Sequence, residues 1–442
     1  MTQSTRRTFL GQLSGVAAAA ALPAWYLEQV LAAQEPSEPR SANDRPQIVL
    51  VGCGGRGTGV AQEAARFGQV IAVCDVDSSH AERAAGIFKG AKVYKDFRDA
   101  IDHPGVEIVV TGTPDHWHTF VNLRAVRAGK DVYSEKPLTL TIDEGKRLVS
   151  EVARTGRILQ TGSQQRSDAR FRFACELVRN GRLGKLSHVT TFLPAAPRQG
   201  PFQTAPVPAE LDWEFWQGQA PAREFIPERS HVWFRFWWEY SAGTITDWGA
   251  HHNDIALWGM GLDRSGPTSV EGRALSEQVP GGFTTPSDYE IAFEYANGVQ
   301  HTCKSVPGDR YDGSRRQPLG PGEFPNGVKF EGPEGWLFVT RGKMQASKPE
   351  LIEAPLPSEA ERLYASNNHM GNFFDCVRSR KAPVCEAEIG HRSVSVCHLG
   401  GIAIRLGRKL RWDPERQEFP DDQEANGYLT REQRKPWTYE SV

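Results

Sequence analysis

Between residues 46 and 165 short apolar runs alternate with stretches of helical period. The runs at 47–51, 69–74, 92–94, 107–111, 131–134 and 157–161 predict strands. Helical patterns at 58–67, 78–88, 96–102, 118–129 and 141–155 fall between them. Such alternation predicts a doubly wound parallel sheet, whose ligands bind beyond the carboxyl ends of the strands. From residue 166 the pattern changes. A strand is expected at 186–192, followed by a Pro- and Trp-rich stretch, 194–240, with little periodicity. A helix follows at 247–259. Alternating segments at 286–296 and 298–305 flank Asn297-Gly298, a hairpin signal, and 327–332 and 335–341 repeat the arrangement across Pro333-Glu334-Gly335. Helices are expected at 367–379 and 389–408, then a charged tail. The fold class is therefore α/β, with a first domain at 46–165 and a second at 166–442.

The first 34 residues read differently. Thr5-Arg6-Arg7-Thr8-Phe9-Leu10 precedes a modest apolar run at 13–22, the pattern of a twin-arginine export signal. The run is too short to span a membrane. Residues 1–34 are expected outside the fold, with cleavage near Ala32 or Ala33, or with the segment kept as an N-terminal anchor; 35–45 reads as a linker. The expectation is a periplasmic enzyme handled by the twin-arginine machinery, which carries folded proteins and so can export a cofactor already bound.

Charged residues are 24% and hydrophobic residues 39% of the 442-residue chain, ordinary for a globular protein. A net charge of −2 offers no general attraction to nucleic acid or anionic membrane. The seven cysteines are scattered without close Cys/His spacing, which argues against a disulfide framework or structural zinc and for buried thiols.

The candidate chemistry starts where the first strand breaks into Gly52-Cys53-Gly54-Gly55-Arg56-Gly57. Gly52 permits the tight turn, Gly54 lets a pyrophosphate approach the backbone, and Gly57 lets the next helix pack close. The phosphates would sit on the free N–H groups of that helix. Asp75 ends the second strand, 18 positions after Gly57, where a carboxylate accepts hydrogen bonds from an adenosine ribose and repels the 2′-phosphate of NADP. This predicts a Rossmann domain that takes NAD in preference to NADP, with Arg56 as a nearby cation able to soften the choice.

Two later strand ends also carry notable residues. Thr113-Pro114-Asp115-His116-Trp117-His118 follows the fourth strand, and Glu135-Lys136-Pro137 follows the fifth. Pro137 holds Lys136 extended. Its ammonium there can bind a substrate hydroxyl and stabilise alkoxide charge, or it is a plain surface lysine before a turn. On the helix at 247–259, Asp247 and His251 share a face, so the acid can orient the imidazole as a general base. Metal ligation by His251, His252, Asp254, His116 and His118 is disfavoured because adjacent helical histidines diverge; no metal is expected. The aromatics Trp213, Phe215, Trp216, Trp233, Phe234, Phe236, Trp237 and Trp238 either stack on sugar rings or pack beneath a long loop or at a subunit contact.

The glycine turn, Glu135-Lys136-Pro137 and Asp247-x-x-x-His251-x-x-Asp254 together resemble the glucose–fructose oxidoreductase/inositol dehydrogenase/rhizopine catabolism (Gfo/Idh/MocA) family. Leu211-Asp-Trp-x-x-Trp-x-Gly218, His369-Met-x-Asn-Phe-Phe-Asp375 and Gly390-His-Arg392 resemble its exported branch. The resemblance implies a C-terminal α/β domain with a large open, mainly antiparallel sheet, and a homodimer or homotetramer. It implies that Lys136 contacts the reacting hydroxyl, that His251 is the acid/base, that Asp247 binds substrate and supports His251, and that Asp254 also serves substrate. Thr113, Pro114 and His118 then flank the cofactor, and Glu135 lies near the nicotinamide ribose. The implied activity is NAD-dependent oxidoreduction of a sugar, sugar derivative or cyclitol with tightly bound cofactor. The alternative is a redox-neutral NAD-dependent glycoside cleavage, oxidising C3 to permit elimination at C2, which uses the same residues and is separated by aglycone release without net NADH.

Overall fold

The apolar runs of the first domain form a parallel sheet because each is flanked by a helix that covers one face. In the computed structural model, which describes residues 22–32, 45–311, 318–320 and 322–442, six strands take the order β3-β2-β1-β4-β5-β6. They are β1 (Gln47–Val51), β2 (Gln69–Cys74), β3 (Lys92–Tyr94), β4 (Ile108–Thr111), β5 (Asp131–Ser134) and β6 (Leu159–Thr161). Every pairing is parallel. The order reverses between β1 and β4, so the crevice opens at their carboxyl ends, where Gly52 and Gly112 sit.

The second domain carries an eight-stranded mixed sheet in the order β13-β12-β11-β7-β10-β9-β8-β14. Its strands are β7 (His188–Pro194), β8 (Ser269–Ala274), β9 (Tyr289–Glu294), β10 (Gln300–Val306), β11 (Gly327–Gly332), β12 (Gly335–Thr340), β13 (Lys343–Ala346) and β14 (Leu410–Arg411). Among the described residues of this sheet, only β7 with β10 pairs parallel. Asn297-Gly298 turns β9 into β10, with Gly298 at φ 84°. Gly332 faces Gly335 at the β11–β12 turn. The helices Gly249–Met260 and Ala387–Leu406 pack on the buried face.

Several boundaries differ from expectation. The helix expected at 58–67 runs Gly55–Ala64, so Gly54 itself is the N-cap. The helix expected at 118–129 runs Asp115–Arg127 because Pro114, with its fixed φ, sits at the N-cap and Asp115 occupies the first turn. The helix expected at 247–259 is broken at Trp248 into Thr244–Asp247 and Gly249–Met260. His251 N–H reaches back only three residues to the Trp248 carbonyl, which tightens the chain there. The helix Ala169–Arg179 was not anticipated. The capping box on Ile142–Thr155 forms as expected, between Thr141 and Glu144.

Two segments cross the boundary at 165. Phe373 and Phe374 of the helix His369–Ser379 join the core beneath β1. Trp437 and Tyr439 of the tail pack on Trp117 and Phe120.

The largest difference lies at the N-terminus. Residues 1–34 were expected outside the fold, yet the helix Ala24–Ala32 packs on the second domain. Tyr26 and Leu27 are buried, and Arg172 Nε donates to Tyr26 Oη at 3.1 Å. The twin-arginine motif and most of the apolar run and linker lie outside the described residues. Among the described residues no helix is long and apolar enough to cross a membrane. All seven cysteines are free and buried, as expected.

Candidate active site

The glycine turn is shaped by contacts no side chain would tolerate. Gly52 has φ 91°, and a Cβ there would lie 2.5 Å from the Gly112 carbonyl carbon. A Cβ on Gly57 would lie 1.9 Å from the Gly52 oxygen. Cβ atoms on Gly54 and Gly55 would meet nothing within 4 Å. The backbone is thus packed on one side and open on the other, above the amides that begin the helix Gly55–Ala64, which is the cradle a diphosphate requires. Asp75 braces this turn: its carboxylate accepts from Cys53 N–H at 2.7 Å and from Asp77 N–H at 2.9 Å.

One cleft of about 780 Å³ begins at this turn and ends at the second domain. Gly52, Gly54, Gly55, Arg56 and Asp75 line one end. Thr113, Pro114, His118 and Glu135 line its middle, and Lys136, Asp247 and His251 line the other end. Arg56 pairs with Glu135 at 2.7 Å. His118 has Nδ1 2.7 Å from the Pro137 carbonyl and Nε2 3.0 Å from the Thr113 carbonyl, tying two loops of the sheet edge together. The Lys136–Pro137 peptide is cis. Lys136 Nζ donates to the Asp247 carboxylate at 2.6 Å and to its carbonyl at 2.8 Å.

The charges explain the protonation states. Burial alone would raise the Asp247 carboxyl, but the Lys136 ammonium and the Arg235 guanidinium outweigh it and hold it down to about 2. Burial, then the Lys136 and Arg341 charges, push the His251 imidazole well below its ordinary value. His251 is therefore neutral near pH 7 and able to accept a proton. Its Nδ1 is buried without a hydrogen-bond partner.

Two expectations need correction. Asp247 was expected to support His251, but its carboxylate is occupied by Lys136 and by Arg235 Nε at 3.3 Å. Asp254 was expected to serve substrate, yet it is fully buried and does not line the cleft. It accepts from Arg166 through both oxygens at 2.8–3.0 Å and from Ser393 Oγ at 2.6 Å. It is part of a structural ion pair whose burial demands full satisfaction.

The sequence reading missed Arg235, Gln165 and Arg341, which also line the cleft. Arg235 lies among the aromatics of the 194–240 stretch, where no charge pattern marks it. Most of those aromatics, including Trp213, Phe236 and Trp237, pack with one another in a separate core, while Phe215, Trp216 and Phe234 reach the cleft. Among the described residues, one group, Asp77, His80 and His231, brings metal-capable atoms within 4.8 Å; Asp77 there is chiefly the N-cap of the helix Ser78–Ile87.

The same stretch is tied across the first domain. Ser78 N–H donates to the Glu210 carbonyl at 2.9 Å, and Asp212 N–H donates to the Val76 carbonyl at 3.0 Å. Lys95 pairs with Asp212 at 2.5 Å. His116 Nε2 and Trp117 Nε1 both donate to the Trp216 carbonyl at 2.9 Å. This strap borders the cleft beside Asp75.

Comparison with known proteins agrees with both halves of this arrangement. Residues 47–163 match the NAD-binding Rossmann fold, and residues 197–439 the C-terminal alpha/beta domain, of the Gfo/Idh/MocA oxidoreductase family. The chain belongs to this family. It is an oxidoreductase whose first domain binds NAD. It is 25% identical over 325 residues to scyllo-inositol 2-dehydrogenase (NAD(+)) of Bacillus subtilis, covering 72% of this chain and 80% of that protein. Inositol 2-dehydrogenase 2 of Saccharopolyspora erythraea is 34% identical over 142 residues, 31% of this chain and 42% of its own length. The fold matches WlbA dehydrogenase of Bordetella pertussis, solved with NADH and UDP-GlcNAcA, at TM-score 0.61 and 17% identity, covering 84% of this chain and 99% of that one.

Proposed function

We propose that this protein transfers hydride between a hydroxyl-bearing carbon of a sugar, sugar derivative or cyclitol and NAD, after export by the twin-arginine pathway. The observation that carries the reading is the convergence of Lys136, Asp247 and His251 at the end of the cleft that begins at the glycine turn. The open backbone at Gly54 and Gly55, the helix amides and the Asp75 carboxylate fit the cofactor. NAD, when bound, supplies the hydride acceptor. His251, neutral because it is buried beside cations, takes the hydroxyl proton. Lys136 donates to the same oxygen and stabilises its developing charge, while Asp247 and Arg235 fix the ammonium. The likeness to an inositol dehydrogenase supports the polyol class.

The strap at 208–218 supports tight cofactor retention, since it borders the cleft and is tied to the first domain by backbone bonds. A retained cofactor must be reoxidised in place, so the scheme includes a second, carbonyl-bearing substrate. The test is to denature the purified protein, assay the released nucleotide, and follow nicotinamide absorbance of the native protein with a panel of sugars and cyclitols. Stoichiometric NAD(H) that a polyol reduces supports the proposal. Absence of any reduction, or equal reduction by Lys136→Met and His251→Gln variants, rejects it.

A further inference from the structure

Arg341 follows β12 directly and projects from the second-domain sheet to the mouth of the cleft, where it is exposed. Two contacts place its guanidinium. Its Cζ lies 4.8 Å above the Trp248 ring centre. With the Gln165 amide in the orientation that satisfies both neighbours, Arg341 Nε donates to the Gln165 side-chain oxygen at 3.3 Å and the Gln165 amide nitrogen donates to the His251 carbonyl at 3.0 Å. Among the described residues the terminal nitrogens make no hydrogen bond.

The neighbouring cations differ. Arg56 pairs with Glu135, while Lys136 and Arg235 share Asp247. Asp115 also lies within electrostatic reach of Arg235. Asp168, an acid of the same cleft, is taken by Arg170, which donates to both of its oxygens at 3.0 and 2.5 Å. Among the described residues Arg341 has no ion-pair partner. A guanidinium placed over an indole, with Nε directed to Gln165 and its two terminal nitrogens without an ion-pair partner among the described residues, is a fork shaped for one planar anion. The Gln165 bridge places that fork on the wall occupied by His251. Desolvation of the inner part of the side chain and the like charge of Arg56 lower the Arg341 pKa, against the more distant pull of Asp247, Asp168 and Glu135, and a bound anion would relieve that penalty.

We infer that Arg341 anchors an acidic group of the substrate, so that the site takes a polyhydroxy acid, a uronic or aldonic acid, in preference to a neutral polyol. This rests on the oxidoreductase reading of the same cleft. The experiment measures binding and chemistry separately on the cofactor-loaded protein. Calorimetric titration with D-glucuronate, D-galacturonate and D-gluconate is compared with D-glucose and myo-inositol, for the parent protein, Arg341→Gln and Arg341→Lys. At least one acid is expected to bind about tenfold or more tighter than either neutral compound. Arg341→Gln is expected to remove that preference, Arg341→Lys to keep part of it, and neither to change the nucleotide content. Equal binding of acids and neutral compounds, no binding of any acid below about 10 mM, or a preference that survives in Arg341→Gln overturns the inference. So does loss of nucleotide from Arg341→Gln, which assigns the residue to the cofactor. An acid that binds through Arg341 without changing nicotinamide absorbance counts against the oxidoreductase reading and leaves the anion site standing.

Discussion

Lys136 Nζ touches Asp247 twice, at the carboxylate oxygen and at the backbone carbonyl, although 111 residues separate them. The contact joins the β5 end of the NAD-binding sheet to the second domain, so the ion pair both aims the ammonium and holds the halves of the cleft in register. Removing either partner tests a different role. Lys136→Met leaves Asp247 its Arg235 partner and should keep the fold while lowering kcat about 100-fold or more. Asp247→Ala removes the carboxylate shared by Lys136 and Arg235, which are partly buried at the cleft wall, and should cost about 1–3 kcal/mol of stability. Thermal unfolding and steady-state kinetics on both variants check the pair. Equal losses of stability would show Lys136 to be structural only.

The buried histidines predict acid sensitivity. Burial pushes His252, His301 and His398 down to about 3, and His369 down to about 4. In the unfolded chain each returns to its ordinary value of 6.5. As pH falls below that value the unfolded chain takes up protons that the folded protein refuses, so stability is full above it and drains away below. Each histidine contributes about 1.4 kcal/mol per pH unit until its folded value is reached. Asp115, Asp131, Glu144 and Glu176, raised by burial, act in the opposite sense, but His116, His251 and His391 are pushed down as well, so the histidines outnumber the raised carboxyls. Tm should be level above pH 7 and fall by roughly 10 °C by pH 5. A level Tm across that range would contradict the assignment.

Gly218 ends the Leu211-to-Gly218 motif at φ 54°, and a Cβ there would lie 2.1 Å from the Trp117 ring. Gly218→Ala therefore forces the strap from its seat beside the Trp216 carbonyl that binds His116 and Trp117. The expected outcome is a folded protein that loses nucleotide on gel filtration while the parent retains it. Unchanged nucleotide content would separate the strap from cofactor retention.

What the sequence disclosed follows from which physics is local. Glycine spacing, strand period, the Thr141/Glu144 box and the Asn297-Gly298 turn are set within a few residues, and the structure repeats them. Lys136 and His251 were legible because a proline and a helical repeat mark them. Arg235, Gln165 and Arg341 were not, because their roles come from Asp247, His251 and Trp248, far away along the chain. Asp254 misled for the same reason: its partners Arg166 and Ser393 are 88 and 139 residues distant, and spacing alone cannot distinguish a structural carboxylate from one that meets substrate.

The N-terminal helix gives the last prediction. Cleavage near Ala32 would remove the helix Ala24–Ala32 and leave an apolar groove on the second domain, where Tyr26 now packs on Phe173 with ring centres 4.3 Å apart. Trp25 Nε1 also donates to the Glu353 carbonyl at 2.9 Å, tying the helix to a second segment. Burying two aromatic side chains is worth about 1.5–3 kcal/mol each. A chain beginning at residue 35 should therefore melt several degrees below one beginning at residue 22 and expose its groove to a hydrophobic dye. If the proposed export takes place, mass spectrometry of the mature protein should place its N-terminus at or before residue 22. A mature N-terminus at 33 or 34 with an unchanged Tm would show that the helix is dispensable packing, removed by processing.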